Sequence, residues 1–527
     1  MKEFSKKLAG KISAKIPHLT PTSTSSAHIP AQSTFVAGSP SPEQEIFRYR
    51  KLRGVNLGSW FVQERWICHG TFQSAHPPGQ SDLDIARGSN AKEIFEKHWD
   101  QWITESDWEW ISQHGFNSVR IPIGYYHICG IDPTILDGTD FQGYDDVFAG
   151  AWSRLTRAIE IAYRYGIGVL IDLHAAPGKQ NRDSHAGTSN PPQFFEKKHH
   201  RSHATQVLYS LVANLVVFAH SHSPPLPNVI GVELLNEPQP ASDSSLMEWY
   251  TSTLKELRQI DPLLPIYLGD CWRPDQYADY ITSVSQVTGL VVMDHHLYRC
   301  FTSSDISTSA AEHSRNLEDP NAHTPQTFQR VSEKLGRANG GLIVGEWSAA
   351  LNPGSLRGEN DEAKKYVIAQ LDLYERTCAG WFFWTLKKQS RGDTGWSLID
   401  AVSGGVFPAR VGLSVKRRPS GDEERRKRAK TAMLNQALEN HTSYWSKHPG
   451  HYEHWRFEKG FKDAWEEAYR FFDWGVLSGR VSVSELGFVS ARARSLAGDL
   501  GGNYWEYEHG FIQGVGCARN DFQQVYC

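Results

Sequence analysis

The sequence is poor in cysteine, in charge of one sign and in long apolar runs, and each shortage excludes a class of protein. Its 527 residues contain seven cysteines, an odd number, and none of them forms a CxxC pair. This argues against a disulfide framework and against a structural zinc site, and it predicts reduced thiols. The formal net charge is only −4 at pH 7. No global field would therefore attract nucleic acid or anionic lipid, and we expect a small, neutral partner.

The sequence also shows no typical membrane-spanning segment and no typical secretory signal. No stretch approaches 18 uninterrupted apolar residues, so no membrane span is expected. The first fifteen residues carry five lysines but lack the apolar core of a secretory signal. We therefore predict a cytoplasmic protein, with a mitochondrial presequence as the alternative because this segment is basic and rich in Ser and Thr. Residues 1–45 have no periodic apolar positions and are predicted to be a flexible, disordered leader.

Short apolar runs bounded by Gly, Asn or Pro begin near Arg53, with amphipathic segments between them. We interpret them as eight strands, at residues 53–58, 116–124, 166–174, 229–237, 265–270, 289–298, 342–348 and 380–386. Strands alternating with helices are typical of a parallel sheet wrapped by helices. Eight such units predict an α/β fold, a closed (β/α)8 TIM barrel over residues 46–412, in preference to an open doubly wound sheet.

The remaining residues, 413–527, do not resemble a last barrel helix alone. The run at 416–430 is highly charged, and amphipathic segments follow it. We predict a helical and aromatic C-terminal extension packed on the barrel. The charged run is interpreted as a solvated linker or helix face, with a nuclear-import signal as the alternative. No chemistry follows from the extension itself.

Polar residues mark the predicted carboxyl ends of the strands, where barrel enzymes carry their active sites. Glu237 ends VELLNE and Glu346 lies in LIVGEW, each after an apolar run. Both carboxylates are therefore expected to face one cavity at the barrel mouth. The other candidates at strand ends are Arg120, His174, Asn236, His296, Tyr298 and Trp384.

Two carboxylates at one mouth suit the hydrolysis of a glycosidic bond, which needs one protonated acid and one ionised carboxylate. We expect Arg120 and Tyr298 to keep Glu346 ionised. The pKa of Glu237 is expected to be raised by a partly apolar pocket and by the neighbouring negative charge. Asn236 is expected to donate to a sugar hydroxyl, and a pyranose ring is expected to stack on an aromatic side chain from the eighth strand.

Ordered motifs over about residues 50–400 carry a family resemblance. GVNLGSWF, FNSVRIPIG, DLHAAPGKQN, LLNEP, HHLY, VGEW and GWFFWTLK resemble glycoside hydrolase family 5, and most closely its fungal exo-β-1,3-glucanase branch. The resemblance implies a retaining, cofactor-free hydrolase of terminal β-glucosyl residues, with Glu237 as acid/base and Glu346 as nucleophile. It implies substrate binding by Glu64, which contacts the non-reducing glucose, by the entrance aromatic Phe301, and by Arg120, His174, Asn236, His296, Tyr298 and Trp384.

One loop departs from that branch. The segment KQNRDSHAGTSN places Arg182, Asp183 and His185 where the secreted relatives carry a second entrance aromatic. This argues against a long wall glucan and for a small β-glucoside or β-glucan oligosaccharide. The missing secretory signal and the C-terminal extension resemble the intracellular members of the branch.

Several alternatives stay open. The runner-up enzyme is a β-glucosidase for a glucoside with an apolar aglycone, such as a sterol or lipid. From another class, a non-catalytic carbohydrate-binding pseudoenzyme or a scaffold is the alternative. A metal held by His174, His295 and His296 with Asp172 and Asp294 is disfavoured, because their spacing is not compact, and no metal or cofactor is expected. Linkage, aglycone and oligomeric state stay undetermined by the sequence.

Overall fold

The computed structural model describes residues 40–284, 289–359, 361–416, 421–477 and 483–527. Residues 1–39 of the predicted leader lie outside the described residues, as do residues 417–420 of the charged run. The first helix, α1, begins at Pro42, so the last residues of the predicted leader are helical. Its start has a local cause, because Ser41 accepts a hydrogen bond from the backbone N–H of Gln44 and proline occupies the first helical position.

Eight parallel strands form a closed barrel in which each strand pairs with the next and the eighth pairs with the first. They are β1 Leu52–Asn56, β2 Ser118–Gly124, β3 Gly168–Ala175, β4 Val229–Glu233, β5 Ile266–Gly269, β6 Val291–Arg299, β7 Gly340–Leu351 and β8 Gly380–Phe383. Every predicted run overlaps one strand, and the predicted TIM barrel is confirmed. Strands β4 and β8 end four and three residues earlier than predicted, whereas β7 begins two residues before and ends three residues beyond the predicted run.

Helices fill the connections and the C-terminal part of the described chain. They are α1 Pro42–Tyr49, α2 Asp82–Ala86, α3 Ala91–Gln101, α4 Glu105–Gln113, α5 Asp145–Phe148, α6 Ala151–Arg164, α7 Lys198–His220, α8 Asp243–Leu257, α9 Pro274–Val284, α10 Ser303–Ser307, α11 Ala310–Glu318, α12 His323–Arg337, α13 Glu362–Thr377, α14 Leu398–Ser403, α15 Glu423–Trp445, α16 His454–Leu477, α17 Val489–Ala497 and α18 Tyr504–Tyr526.

Helix α7 is long and apolar enough, by length and composition, to cross a membrane. Half of its most apolar window is buried in the protein, however. Leu208, Leu211 and Val212 of this helix belong to the apolar layer between the barrel strands and the surrounding helices. A buried barrel helix can be equally long and apolar, so α7 is only weak evidence for a transmembrane helix. That the protein has no transmembrane helix therefore stays a prediction.

A second apolar layer fills the barrel and closes its amino-terminal end. Inward-facing residues of the strands, such as Leu52, Ile230 and Phe382, pack against Phe47 of α1 and against Phe488, which precedes α17. The helix-lined outer layer and this inner layer alternate along each strand, as the two faces of a strand require. Because the amino-terminal end is filled, an active-site cavity has room only at the opposite end.

The C-terminal helices pack together and against the closed end of the barrel. Helices α15, α16 and α18 share an apolar cluster centred on Phe461, Trp465 and Phe522. The segment before α17 contacts the start of the barrel, because the carbonyl of Glu485 accepts a hydrogen bond at 2.6 Å from the backbone N–H of Lys51, the residue before β1. The Glu485 carboxylate lies 2.7 Å from Arg53. The predicted packing of a helical extension on the barrel is confirmed, and it leaves the carboxyl ends of the strands uncovered.

Candidate active site

A cavity of about 1020 Å³ lies at the carboxyl ends of the barrel strands. Its walls come from the loops after several strands, as in other barrels of this kind. Most of the sequence-predicted site residues line it, namely Glu64, Glu237, His296, Tyr298, Phe301, Glu346 and Trp384. Arg120, His174 and Asn236 lie below them and are buried. The structure therefore brings all the predicted residues into one region.

Arg120 is the central cation of this region. It is the third residue of β2, so its predicted place at the carboxyl end of that strand is wrong. Its long side chain extends from the strand toward the mouth, and the guanidinium is fully buried. It contacts five side chains: Glu233 at 2.7 Å, Glu346 at 2.8 Å, Asn236 at 2.9 Å, Asp172 at 3.0 Å and Asn56 at 3.1 Å.

Glu346, on β7, accepts hydrogen bonds on both carboxylate oxygens. Arg120 Nη1 donates to Oε1 at 2.8 Å, and the Tyr298 hydroxyl donates to Oε2 at 2.9 Å. Charge-assisted bonds of this length stabilise the anion and hold the carboxylate in one orientation. These are the two partners that the sequence analysis expected for Glu346.

Glu237 lies four residues beyond the end of β4, on a backbone with φ of 43°. A residue other than glycine is uncommon in this left-handed region, and such strain often accompanies a functional position. Asn181 Nδ2 donates to the Glu237 carbonyl at 3.1 Å and supports the turn. Glu237 Oε1 accepts from His296 Nδ1 at 2.8 Å. One oxygen of Glu237, one of Glu346 and a ring nitrogen of His296 all lie within 4.8 Å of one another.

The predicted rise in the pKa of Glu237 is wrong. Burial raises the pKa of this carboxyl, but the hydrogen bond and positive charge of His296, together with His185 and His174, lower it to about 2. Burial lowers the pKa of His296, but the charges of Glu346 and Asp294 raise it well above its ordinary value. The prediction considered only the negative charge of Glu346 beside Glu237. It omitted the positively charged imidazole of His296, which lies between the two carboxylates.

Trp384 lines the cavity, and the buried His174 packs behind it. Their rings are parallel within 6°, with centroids 5.7 Å apart. His174 Nδ1 is 2.6 Å from Asp172 Oδ2, which orients the imidazole. Asn236 Nδ2 is 3.5 Å from His174 Nε2, on the side that faces the carboxylate pair. Trp384 was predicted to lie within the eighth strand. In the structure β8 ends at Phe383, so Trp384 is the first residue after the strand.

Glu64 lies in the loop after β1 and is buried. Trp66 Nε1 donates to Glu64 Oε2 at 2.8 Å. Burial raises the pKa of Glu64 to about 7, since the opposing effects of His185 and of the Trp66 hydrogen bond are smaller. This carboxyl therefore changes charge near neutral pH in the wall of the cavity.

His185 is a site residue that the sequence analysis did not select. Its Nδ1 is 4.0 Å from Glu64 Oε2 and its Nε2 is 3.9 Å from Glu237 Oε2. Its ring also contacts His174 edge to face at 4.9 Å. The sequence does single out the segment that contains His185, since KQNRDSHAGTSN differs from the exo-β-1,3-glucanase branch. Nothing in the sequence, however, places His185 between two glutamates.

Aromatic side chains surround the entrance of the cavity. Phe301 is 68% exposed, and its ring is 5.9 Å from Trp396, which in turn contacts Trp66 at 5.3 Å. Trp272, after β5, is 46% exposed and lines the cavity from another side. Trp272 and Trp396 were missed, because 18 tryptophans carry no mark in the sequence that separates entrance residues from core residues.

Three further buried carboxylates underlie the site: Asp172, Glu233 and Asp294. Asp172 and Asp294 each precede a site histidine by two positions and so share its face of the strand, which was the signal available in the sequence. Glu233, Asp294 and His296 offer ligand atoms within 4.8 Å of one another. Each of these carboxylates already faces a cation, with Arg120 2.7 Å from Glu233 and His296 3.7 Å from Asp294. The cluster is thus charge-paired by protein groups.

The closed barrel and its paired carboxylates agree with comparison to known families. The model of the cellulase family, glycosyl hydrolase family 5, matches residues 86–390. The chain belongs to glycosyl hydrolase family 5, and it is an enzyme of the glucan 1,3-beta-glucosidase type. A second model, the C-terminal domain of glucan 1,3-beta-glucosidase 3, matches residues 426–525, which correspond to the C-terminal helices.

Two relatives match most of the chain. Glucan 1,3-beta-glucosidase 3 of Schizosaccharomyces pombe is 30% identical over 486 residues, covering 89% of this chain and 95% of that protein. The uncharacterized glycosyl hydrolase YBR056W of Saccharomyces cerevisiae is 30% identical over 496 residues, covering 89% and 91%. Among solved structures, rutinosidase from Aspergillus niger superposes with a TM-score of 0.55 at 19% identity, covering 68% of this chain and 99% of that chain. This last likeness supports the fold alone.

Proposed function

We propose that this glycosyl hydrolase is a retaining β-glucosidase that removes terminal β-glucosyl residues, with Glu237 as general acid/base and Glu346 as nucleophile. The observation that carries the proposal is the short distance between the carboxylates, since an oxygen of each lies within 4.8 Å of the other. Retaining enzymes hold their carboxyl groups about 5 to 5.5 Å apart, whereas inverting enzymes need about 6.5 to 9.5 Å to admit water.

Glu346 is suited to attack the anomeric carbon. Arg120 and Tyr298 orient both of its oxygens and stabilise the negative charge through hydrogen bonds. Attack forms a covalent glycosyl ester and breaks the bond to the leaving oxygen, which takes a proton from Glu237. In the second half of the reaction, Glu237 removes a proton from water, which then hydrolyses the ester.

The proton of the acid step comes from the pair formed by Glu237 and His296, which are 2.8 Å apart. Without a sugar, charges around His296 favour the imidazolium and lower the pKa of Glu237. A bound sugar removes water from both groups. Desolvation raises the pKa of a carboxyl and lowers that of an imidazole, so it favours the neutral pair with the proton on Glu237. Substrate binding thereby protonates Glu237, which can then donate this proton to the leaving oxygen.

Action at a chain end is supported by Glu64 and the wall opposite the entrance. Glu64 and Trp384 line the space beside the carboxylate pair, where a terminal glucose would lie, and His174 stacks on Trp384 from the buried side. A carboxylate binds sugar hydroxyls through strong charge-assisted hydrogen bonds. The relative from Schizosaccharomyces pombe, named glucan 1,3-beta-glucosidase 3, supports a β-1,3-linked oligosaccharide as substrate.

A β-glucoside with an apolar aglycone, such as a sterol or lipid, is the second candidate substrate. The entrance side of the cavity carries the exposed rings of Phe301 and Trp272, and Leu297 and Phe328 also line it. These side chains offer apolar area and few hydrogen bonds, which suits a ring or chain better than a second sugar.

The mechanism is tested with the variant Glu346→Ala and added azide. Turnover of p-nitrophenyl β-glucoside should be lost, and azide should restore it by entering the vacated space and forming the α-glycosyl azide. Formation of the β-azide would reverse the two assignments. Glu237→Ala should retain activity on substrates with good leaving groups, which need little acid assistance. Equal losses on activated and unactivated glucosides would contradict the acid role.

The substrate is tested by comparing laminari-oligosaccharides, gentiobiose and a steryl glucoside under one set of conditions. Release of glucose from the non-reducing end of laminaribiose, with slower action on the steryl glucoside, is the expected result. The reverse order favours the apolar aglycone. A folded, pure protein that cleaves none of these and no p-nitrophenyl glucoside would favour the carbohydrate-binding pseudoenzyme or the scaffold.

We also propose that the enzyme acts in the cytoplasm. All seven cysteines are without a disulfide partner, which suits a reducing compartment. Microscopy of a carboxyl-terminal fluorescent fusion tests this proposal, and accumulation in mitochondria or in the medium would contradict it.

A further inference from the structure

The C-terminal helices carry a group of metal-ligand side chains that do not line the active-site cavity. His441 lies on α15, His454 is the first residue of α16, and Glu506 lies on α18. Glu506 Oε2 is 3.3 Å from His441 Nε2 and 3.1 Å from His454 Nδ1. One ligand atom from each residue lies within 4.8 Å of the other two.

Glu506 is a fully buried carboxylate without a strong cation beside it. Among the described residues, its ionic contacts are the two histidines, and no Lys or Arg pairs with it. Its other oxygen, Oε1, accepts a hydrogen bond from the backbone N–H of Glu453 at 2.6 Å. A buried charge is costly unless it is paired or bound to a metal. The remaining negative charge therefore needs either a proton on a histidine or a bound cation.

The two imidazole rings are held in place by aromatic neighbours. His441 stacks on Phe457, with centroids 4.1 Å apart and planes inclined by 20°. The His454 ring is parallel to Tyr452 within 6°. His441 Nδ1 is buried without a hydrogen-bond partner, so Nε2 is the nitrogen that this ring offers to Glu506.

We propose that His441 Nε2, His454 Nδ1 and Glu506 Oε2 bind a Zn²⁺ ion that joins α15, α16 and α18. Ligand atoms about 2.0 to 2.1 Å from a tetrahedral zinc ion are about 3.3 Å from each other. The two measured separations from Glu506, 3.3 and 3.1 Å, fit this geometry. Two histidines and one carboxylate are a donor set that zinc accepts, with water in the fourth position. The His454 side chain is 29% exposed and provides a path from solvent.

The test uses the full-length protein. Metal analysis of protein purified without chelator should find zinc, and the chelator-stripped protein should bind one equivalent of Zn²⁺ in a calorimetric titration. Co²⁺ should give the visible absorption of a four-coordinate site. His454→Gln removes one ligand and should weaken Zn²⁺ binding by at least about 100-fold, since loss of an outer partner alone costs about 10- to 100-fold. His451→Gln, at an exposed histidine of the same segment, is the matched control and should bind as the unmodified protein does.

Stability gives a second readout. Zn²⁺ should raise the melting temperature of the unmodified protein and of His451→Gln, but not that of His454→Gln. Hydrolase activity should be unchanged in both variants, because neither residue lies near the barrel mouth. His454→Cys, which replaces one zinc ligand by another, should retain binding. Absence of zinc in the purified protein together with no saturable Zn²⁺ binding after stripping would overturn the proposal. Equal binding by His454→Gln would overturn it as well.

Discussion

Glu64→Gln tests whether the active site keeps a carboxyl group in an environment that disfavours its charge. Burial raises the pKa of Glu64 to about 7 in the folded protein, from an ordinary value of 4.5. The folded state thus binds this proton more tightly than the unfolded chain does. For an acid with a raised pKa, the stabilisation is fully present below about pH 4.5 and is lost as the pH rises through 7. Glutamine imitates the protonated form at every pH and can still accept the hydrogen bond from Trp66.

The size of the effect follows from the two acid constants. A tenfold difference in an acid constant corresponds to about 1.4 kcal/mol, so a pKa near 7 against 4.5 costs about 3 kcal/mol when the group is ionised at pH 8. Glu64→Gln should therefore be more stable than the unmodified protein by about 3 kcal/mol at pH 8 and nearly equal to it at pH 4.5. Catalysis should move the other way, because the variant loses a charge-assisted bond to the sugar. We expect kcat/KM at pH 8 to fall by about 10- to 100-fold.

The assay is urea unfolding followed by fluorescence at several pH values between 4.5 and 8.5, with kinetics on p-nitrophenyl β-glucoside under the same conditions. Glu248→Gln, at an exposed glutamate on α8, is the control and should leave the pH dependence of unfolding unchanged. A stability difference between Glu64→Gln and the unmodified protein that is the same at pH 4.5 and pH 8 would refute the reasoning, because it would not come from ionisation.

Three further predictions concern other parts of the molecule. Arg120→Lys replaces a planar guanidinium that contacts five side chains by a single ammonium. We expect the free energy of unfolding in urea to fall by about 3 kcal/mol and kcat to fall strongly. An unchanged unfolding midpoint would contradict the central role of this residue. Gly510→Ala adds a methyl group against the Phe457 carbonyl and should cost about 1 to 3 kcal/mol in the same assay, whereas Gly516→Ala, with open space around it, should be neutral or slightly stabilising. Equal effects of the two glycine variants would refute that packing argument. Phe301→Ala should leave unfolding unaffected, since the ring is 68% exposed, and should raise KM for laminaribiose more than it lowers kcat; a loss of stability would show a packing role instead.

Much of the fold was predictable because its signals are local. Each of the eight apolar runs overlaps one of the eight strands, since a strand buried on both faces needs a nearly uninterrupted apolar stretch. The positions of Glu237 and Glu346 near the mouth followed from the same pattern, because parallel strands all end at one edge. The strand boundaries were less accurate, and Arg120 was placed at a strand end although it lies near the middle of the buried part of β2.

The sequence by itself determined the barrel, the helical C-terminal extension, and the placement of the two glutamates near the barrel mouth, although Glu237 lies beyond the end of β4 and Glu346 lies within β7. Only the tertiary structure decided how the charges interact. It placed His296 between Glu237 and Glu346, which reversed the expected direction of the Glu237 pKa, and it placed His185 between Glu64 and Glu237. The physical reason is range: hydrophobic patterns act between neighbours in the chain, whereas an electrostatic interaction depends on distances of a few ångströms between residues that are far apart in sequence.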